Sequence, residues 1–393
     1  MYFITPPERL TLFLMLVNFG RVECFEKHTN TKEPLKSSRN YSNNTRDPKF
    51  FWGLGFGIGL VRFENSVCTS AGNQDGTCYT RRQCAAIDGI ASGTCANDIG
   101  VCCVIQRTCG DISSYNNTYF TNTDYPSPDT ATTTCTMTIQ PCSTDFCQAR
   151  IDFLALSLAQ PDPTGVCTTD ALIVSGAAGP VPIICGENTG QHIYVDFNGN
   201  NSVQLTITTN GAIAFNRLWA FRVIQIACAC PTRAPVGCLM YYTTESGTVN
   251  SFNYGTTTNV IDPNTGVAGT RELILENYGI CIAMLPGYCG IQWSSNNFMV
   301  SGNANNVGIG ALTDGDCNSD FVVIPNPYYV NGTAVNSDRF CGLAFDDVVS
   351  YTKPFALYVV TNGDEVNDTM NIGFSLSFMQ VACTNSLVNN IFG

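Results

Sequence analysis

Cys167-Thr168-Thr169-Asp170-Ala171-Leu172-Ile173-Val174 and Cys317-Asn318-Ser319-Asp320-Phe321-Val322-Val323-Ile324 decide the fold of this chain. Both read Cys-x-x-Asp followed by an apolar run. A Cys-Gly pair comes after each, Cys185-Gly186 and Cys341-Gly342. Each stretch then ends alike, in Gln225-Ile226-Ala227-Cys228 and Gln380-Val381-Ala382-Cys383. Agreement in order, spacing and local sequence identifies an internal repeat. Pro231, Pro235 and Gly237 mark a short linker between the copies.

Inside the copies, apolar and polar residues alternate. His192-Ile193-Tyr194-Val195-Asp196-Phe197, Val203-Gln204-Leu205-Thr206-Ile207 and Phe221-Arg222-Val223-Ile224-Gln225-Ile226 read as half-buried strands. Asn-Gly turns at Asn198-Gly199, Asn210-Gly211 and Asn362-Gly363 punctuate them. No long helical period is present. The expected fold is all-β, with one sandwich per copy.

The chain N-terminal to the repeat changes character several times. Arg9, the apolar run Leu10 to Val17 and the exit Val22-Glu23-Cys24 read as a secretory signal peptide over 1–24. The run is too short to be retained as a transmembrane segment. Residues 25–67 read as a disordered arm, because polar residues dominate and no core can offset the ordering entropy. Within it, Phe50-Phe51-Trp52-Gly53-Leu54-Gly55-Phe56-Gly57-Ile58-Gly59-Leu60-Val61 is a Gly-aromatic segment. It reads as an extended arm packed on a downstream domain, or as a surface for a partner or membrane. Residues 68–103 hold Cys68, Cys78, Cys84, Cys95, Cys102 and Cys103. So short a stretch needs disulfides in place of a large core.

The chain has 21 cysteines, and removing Cys24 with the signal leaves an even number. With only two histidines, His28 and His192, a disulfide framework is favoured over zinc. Sequons at Asn40, Asn43, Asn116, Asn200, Asn331 and Asn367 are candidate glycosylation sites of a secreted, extracellular glycoprotein. A formal net charge of −12 argues against nucleic-acid or anionic-membrane binding through bulk electrostatics.

Two resemblances extend this reading. Gly76-Thr77-Cys78-Tyr79, Cys84, Gly93-Thr94-Cys95-Ala96 and Gly100-Val101-Cys102-Cys103 resemble the clip-type disulfide knots of arthropod secreted proteins. Spacing alone allows 15 connectivities. The resemblance implies Cys68–Cys102, Cys78–Cys95 and Cys84–Cys103. The repeat resembles the CUB domain, a secreted β-sandwich module. The first copy, 109–230, carries Cys109-Gly110, Tyr125-Pro126, Cys135, Phe153, Cys167-x-x-Asp170, Cys185-Gly186 and Phe221. The second, 238–383, carries Cys238, Cys281, Cys317-x-x-Asp320, Cys341-Gly342 and Gly373-Phe374. The first copy is the closer match. The second has Tyr254-Gly255 where Tyr-Pro is usual, and an apparent insertion around 256–275.

The resemblance implies jelly-roll-type sandwiches stapled by Cys109–Cys135, Cys167–Cys185, Cys238–Cys281 and Cys317–Cys341, behind a small cysteine-knot-like N-terminal module. Cys289 and Cys383 then remain in the second copy, and their equivalents in the first are Cys147 and Cys228. The repeat therefore predicts Cys289–Cys383 and Cys147–Cys228, and it leaves Cys142–Cys230. The rival Cys142–Cys147 would force Cys228 onto Cys230, a strained i to i+2 pair. The whole arrangement resembles a group of insect secreted CUB-domain proteins.

Clip knots often accompany serine proteases, yet no Gly-Asp-Ser-Gly or Gly-x-Ser-x-Gly stretch exists. His28 falls in the arm, and His192 reads as a strand surface residue. Asp346-Asp347, flanked by turn residues, read as solvated loop charge. No catalytic or cofactor-binding residue is expected. Many CUB domains hold Ca²⁺ through a Glu, the Asp of Cys-x-x-Asp and a late-loop Asp. Asp170 and Asp320 match the second ligand, and Asp364 is a candidate for the third. The Glu is missing, with Leu158-Ala159-Gln160 and Val300-Ser301-Gly302 in its place. One carboxylate cannot hold the ion tightly, so the first copy is expected not to bind it. The expected function is non-catalytic binding of an extracellular protein or glycan. Regulation of a protease cascade and a structural matrix role are the alternatives.

Overall fold

The computed structural model describes residues 63, 65–211, 215–257, 259, 261, 266, 268–301, 311–313, 317–363 and 371–383. The signal segment, the Gly-aromatic stretch, Asn40, Asn43, Asn367 and Asp364 lie outside the described residues.

The N-terminal module comprises β1 (Val67–Thr69), β2 (Asp75–Tyr79), helix α1 (Arg81–Ala86), β3 (Ile90–Cys95) and β4 (Gly100–Arg107). A capping box opens the helix. Thr80 Oγ1 accepts from Gln83 N at 3.1 Å, and Gln83 Oε1 accepts from Thr80 N at 3.0 Å, satisfying donors at the helix start. The apolar interior is small, with Tyr79, Val101 and Ile105 around Cys84 and Cys103. Three disulfides cross it: Cys68–Cys102, Cys78–Cys95 and Cys84–Cys103. Gly89 lies so close to the last of these that a Cβ there would strike both sulfurs.

The first sandwich comprises β5 (Ile112–Ser113), β6 (Thr118–Thr121), β7 (Thr134–Ile139), β8 (Phe146–Ser157), β9 (Asp170–Ser175), β10 (His192–Asp196), β11 (Val203–Thr209) and β12 (Leu218–Ala227). One sheet has the order β5-β7-β11-β9, the other β6-β12-β8-β10. Alternation turns Ile151, Phe153, Phe221, Val223 and Ile193 inward, and Met137, Leu205 and Ile207 fill the same core. Each such side chain contributes about 1.5–3 kcal/mol when fully buried. The N-terminal module is not a separate bead. Strand β4 runs past Cys103 and pairs in parallel with β6, so β4, β2 and β1 continue the first sandwich's sheet.

The second sandwich comprises β13 (Cys238–Tyr242), β14 (Ser246–Asn250), β15 (Asn277–Ile282), β16 (Tyr288–Met299), β17 (Ala311–Thr313), β18 (Phe321–Val323), β19 (Pro327–Tyr329), β20 (Arg339–Gly342), β21 (Val348–Ser350), β22 (Phe355–Val360) and β23 (Gly373–Ala382). Its sheets run β13-β15-β22-β18-β20-β17 and β14-β23-β16-β21-β19. Strands β16 and β23 repeat the pairing of β8 and β12. Arg150 opposes Ile224 as Gln292 opposes Met379, and Asp152 opposes Arg222 as Ser294 opposes Ser377.

Among the described residues, six disulfides join pairs within the sandwiches: Cys109–Cys135, Cys147–Cys228 and Cys167–Cys185, then Cys238–Cys281, Cys289–Cys383 and Cys317–Cys341. Cys142 and Cys230 are not joined to each other, contrary to the pairing by elimination. Cys142 lies in the β7–β8 turn, where its N–H donates to Gln225 Oε1 at 2.7 Å. Cys230 lies beyond the end of β12, is itself disulfide-bonded, and packs with Tyr194, Ala234 and Cys238. The Cys230 sulfur is engaged in a bond that the count of cysteines in the first copy did not foresee.

The apparent insertion of the second copy docks onto the first. Asn259 Nδ2 donates to Pro161 O at 2.9 Å, Thr270 N to Pro163 O at 3.2 Å and Ile274 N to Gly165 O at 3.2 Å. Asn253 N donates to Asn188 Oδ1 at 2.7 Å, and Asn253 Oδ1 accepts from Glu187 N at 3.0 Å. Gly186 has φ +75°, and a Cβ there would collide with the Asn253 amide.

Replacing Cys84 and Cys103 together by Ala is expected to destabilise the N-terminal module by about 2–4 kcal/mol. Limited proteolysis should then cut within 68–107 and spare the sandwiches; loss of the whole chain at one rate would contradict this account.

Candidate functional site

Strand alternation turns one set of side chains to the core and the other to the outer face of β6-β12-β8-β10. In most sandwiches that outer face meets water. Here it carries a row of polar and aromatic groups. The pairings Tyr119–Arg222, Arg222–Asp152 and Asp152–His192 run across four strands, with Arg150–Tyr194 alongside. Arg222 Nη2 donates to Asp152 Oδ2 at 3.0 Å, and Arg150 Nε donates to Asp152 Oδ1 at 2.6 Å. Arg150 Nη1 also donates to the Tyr194 hydroxyl at 3.2 Å.

Both ends of this row are closed by other modules. From the N-terminal module, Asp75 takes the second arm of Arg222, and Asp75 N donates to the Tyr119 hydroxyl at 2.9 Å. From the second sandwich, Tyr241 and Tyr242 pack edge-on against Tyr194 and His192, with ring centroids 5.9 and 4.8 Å apart. His192 Nε2 lies 2.9 Å from Tyr241 O and 3.3 Å from Tyr241 N. His192 stands in a strand, but it is buried at this seam and not on a free surface. Burial, then the neighbouring Arg150 charge, lowers its pKa from 6.5 to about 4. Burial raises Tyr242 to about 12. Two guanidinium groups and two carboxylates balance, and every one of them faces a partner from its own chain. Asp346 and Asp347 are exposed.

The Cys-x-x-Asp carboxylates tell a second story. Asp170 is fully buried, and its two oxygens accept from Arg217 Nε at 2.9 and 2.8 Å. Asp170 Oδ2 also accepts from Ala159 N at 2.8 Å, and Arg217 Nη2 donates to Asn210 O at 2.9 Å. The Arg217 side chain is 2% exposed. A guanidinium therefore stands on the Asp170 carboxylate and the late-loop carbonyl, the donors a Ca²⁺ ion would need. The first copy does not fit the metal.

In the second copy, Asp320 is buried and accepts from Asn362 N at 2.7 Å. Glu272, from the insertion, accepts from Ser301 N at 3.4 Å. Glu276 is buried too, but desolvation pushes its pKa well above the usual range and favours the neutral acid. Among the described residues, no three His, Cys, Asp or Glu side chains group as a metal site would require.

Of the sequons, Asn200 and Asn331 are exposed, whereas Asn116 accepts from Gln225 N at 2.8 Å. Sequence reasoning missed Arg150, Asp152, Arg222, Arg217 and Glu272. Arg150 and Asp152 stand at alternate positions of one strand, which is the signal that could have found them. Arg217 and Glu272 leave no local pattern.

Comparison with known proteins places one part of the chain. Residues 235–381 match the family model of the animal CUB domain. That match falls on the second copy, although the quoted landmarks agree better with the first. No curated protein matches the chain. Among solved structures, the MASP-1 CUB2 domain bound to Ca²⁺ is 20% identical, with 30% of this chain and 98% of that chain covered and a TM-score of 0.25. The CUB1-EGF-CUB2 domain of human MASP-1/3 is 13% identical, covering 67% and 98% at a TM-score of 0.24. The full extracellular region of zebrafish Gpr126/Adgrg6 is 11% identical, covering 72% and 38% at 0.27.

Three outcomes test the site. His192 titrates at 6.5 when exposed and at about 4 in the fold, so its contribution is complete above pH 6.5 and is lost as pH falls toward 4. The fall in Tm over that window should be shallower in His192→Gln than in the parent chain. Arg217→Met should cost about 3–5 kcal/mol in denaturant titration, because it strands the Asp170 charge in the core. Adding Asp170→Asn should recover much of that loss. Ca²⁺ titrated into an Asp320→Asn chain should release no heat from the first copy.

Proposed function

We propose that this protein is a secreted, non-catalytic binding protein that works through extracellular protein–protein or protein–carbohydrate contact. The observation that carries the reading is the match of residues 235–381 to the animal CUB domain. Three structural features support it. Nine disulfides among the described residues suit an oxidising compartment. Among those residues, no helix is long and apolar enough to cross a membrane. The titratable groups of the polar row are consumed in joining modules, so His192 has no nucleophile to activate. What remains is a stiff tandem scaffold whose loops and open faces are available to a partner.

Immobilised full chain, incubated with the native extracellular fluid, should retain a partner saturably and release it to soluble competitor chain. Retention of nothing, or stoichiometric labelling of the chain by an active-site-directed serine-hydrolase probe, would overturn the reading.

A further inference from the structure

The internal repeat allows one face to be compared with itself. Arg150, Asp152 and Arg222 of the first sandwich correspond by register to Gln292, Ser294 and Ser377 of the second. Leu154 and Ile224 correspond to Asn296 and Met379 by the same register. In the first copy the face is charged and closed by Asp75 and Tyr119. In the second copy every one of those charges is replaced by an amide or a hydroxyl. Among the described residues, no module pairs with the outer edge of β14 as β4 pairs with β6.

The result is an open groove of about 440 Å³ on the outer face of β14, β23 and β16, whose polar lining includes Thr248, Gln292, Ser294 and Ser377. No charged side chain lines it. Met379, 51% exposed, supplies an apolar spot. The cross-strand row continues from Met379 through Gln292 and Val349 to Tyr328, whose ring stands 6.2 Å from that of Tyr351. Amides and hydroxyls both donate and accept, as sugar hydroxyls do. Half-buried Tyr328, two strands beyond Gln292, adds an aromatic ring of the kind that packs on a pyranose. A charged peptide would lose hydration here without meeting a counter-charge.

We propose that this face of the second sandwich binds an uncharged oligosaccharide. The inference rests on the binding function proposed above and names a ligand class for it.

The test uses the full chain with uncharged gluco-, N-acetylgluco- and manno-oligosaccharides, and a sulfated heparin hexasaccharide as the charged control. Calorimetry should find binding to at least one uncharged probe and none to the control. The double substitution Gln292→Arg and Ser377→Arg places the first copy's two arginines at the equivalent half-buried positions of this face. It should weaken the uncharged probe at least tenfold with Tm unchanged. A milder variant, Ser294→Ala, should reduce binding several-fold and guards against misfolding of the first. Absence of binding to every uncharged probe, or binding indifferent to both variants, overturns the proposal. So does concentration-dependent self-association that the arginine variant abolishes, since the face would then be a contact between copies of this chain. If the arginine variant still retains a protein partner from extracellular fluid while no sugar binds, the glycan inference falls and the broader function stands.

Discussion

Asp152 is the group on which the arrangement of modules depends. Its carboxylate takes Arg222 on one oxygen and Arg150 on the other. Each arginine then reaches a different neighbour, Asp75 of the N-terminal module and Tyr194 beside the second sandwich. Burying such a group is costly unless all its lone pairs are used. That requirement couples the two contacts. The carboxylate stays satisfied only while both arginines stay in place, and they are held in place by the modules on either side.

The two copies put one scaffold to different uses. Register is common to both, so substitutions at equivalent positions change a face without changing the fold. In the first copy the outer face holds the chain together, and a guanidinium on Asp170 stands in for an external cation. In the second copy the same face is uncharged and open, and the insertion has become a clasp on the first sandwich. One copy supplies the frame, and the other keeps a surface to spare.

The fold was legible to a large extent because its signals are local or periodic. Cys-x-x-Asp, Cys-Gly and the closing Gln-x-Ala-Cys mark the copies, and alternation marks the strands. Pairing by elimination failed at Cys142 and Cys230, because it counts sulfurs without knowing which of them meet in space. Gln225 accepts from Cys142 N and donates to Gln140 O, which holds the β7–β8 turn against β12. His192 was legible as a strand residue but not as a buried one. Burial at a seam depends on a second body that its own strand does not encode.

By itself, the sequence determined the internal repeat, the β character of both copies and the presence of a dense disulfide framework. These follow from residue type and spacing, which are properties of the chain in one dimension. Only the tertiary structure decided that Arg217 sits on Asp170, that Asn259, Thr270 and Ile274 clasp the first sandwich, and that one outer face is covered while its twin is open. Those outcomes turn on which desolvated polar group finds a partner across space. A buried charge or amide is stable only when that partner arrives from elsewhere in the fold.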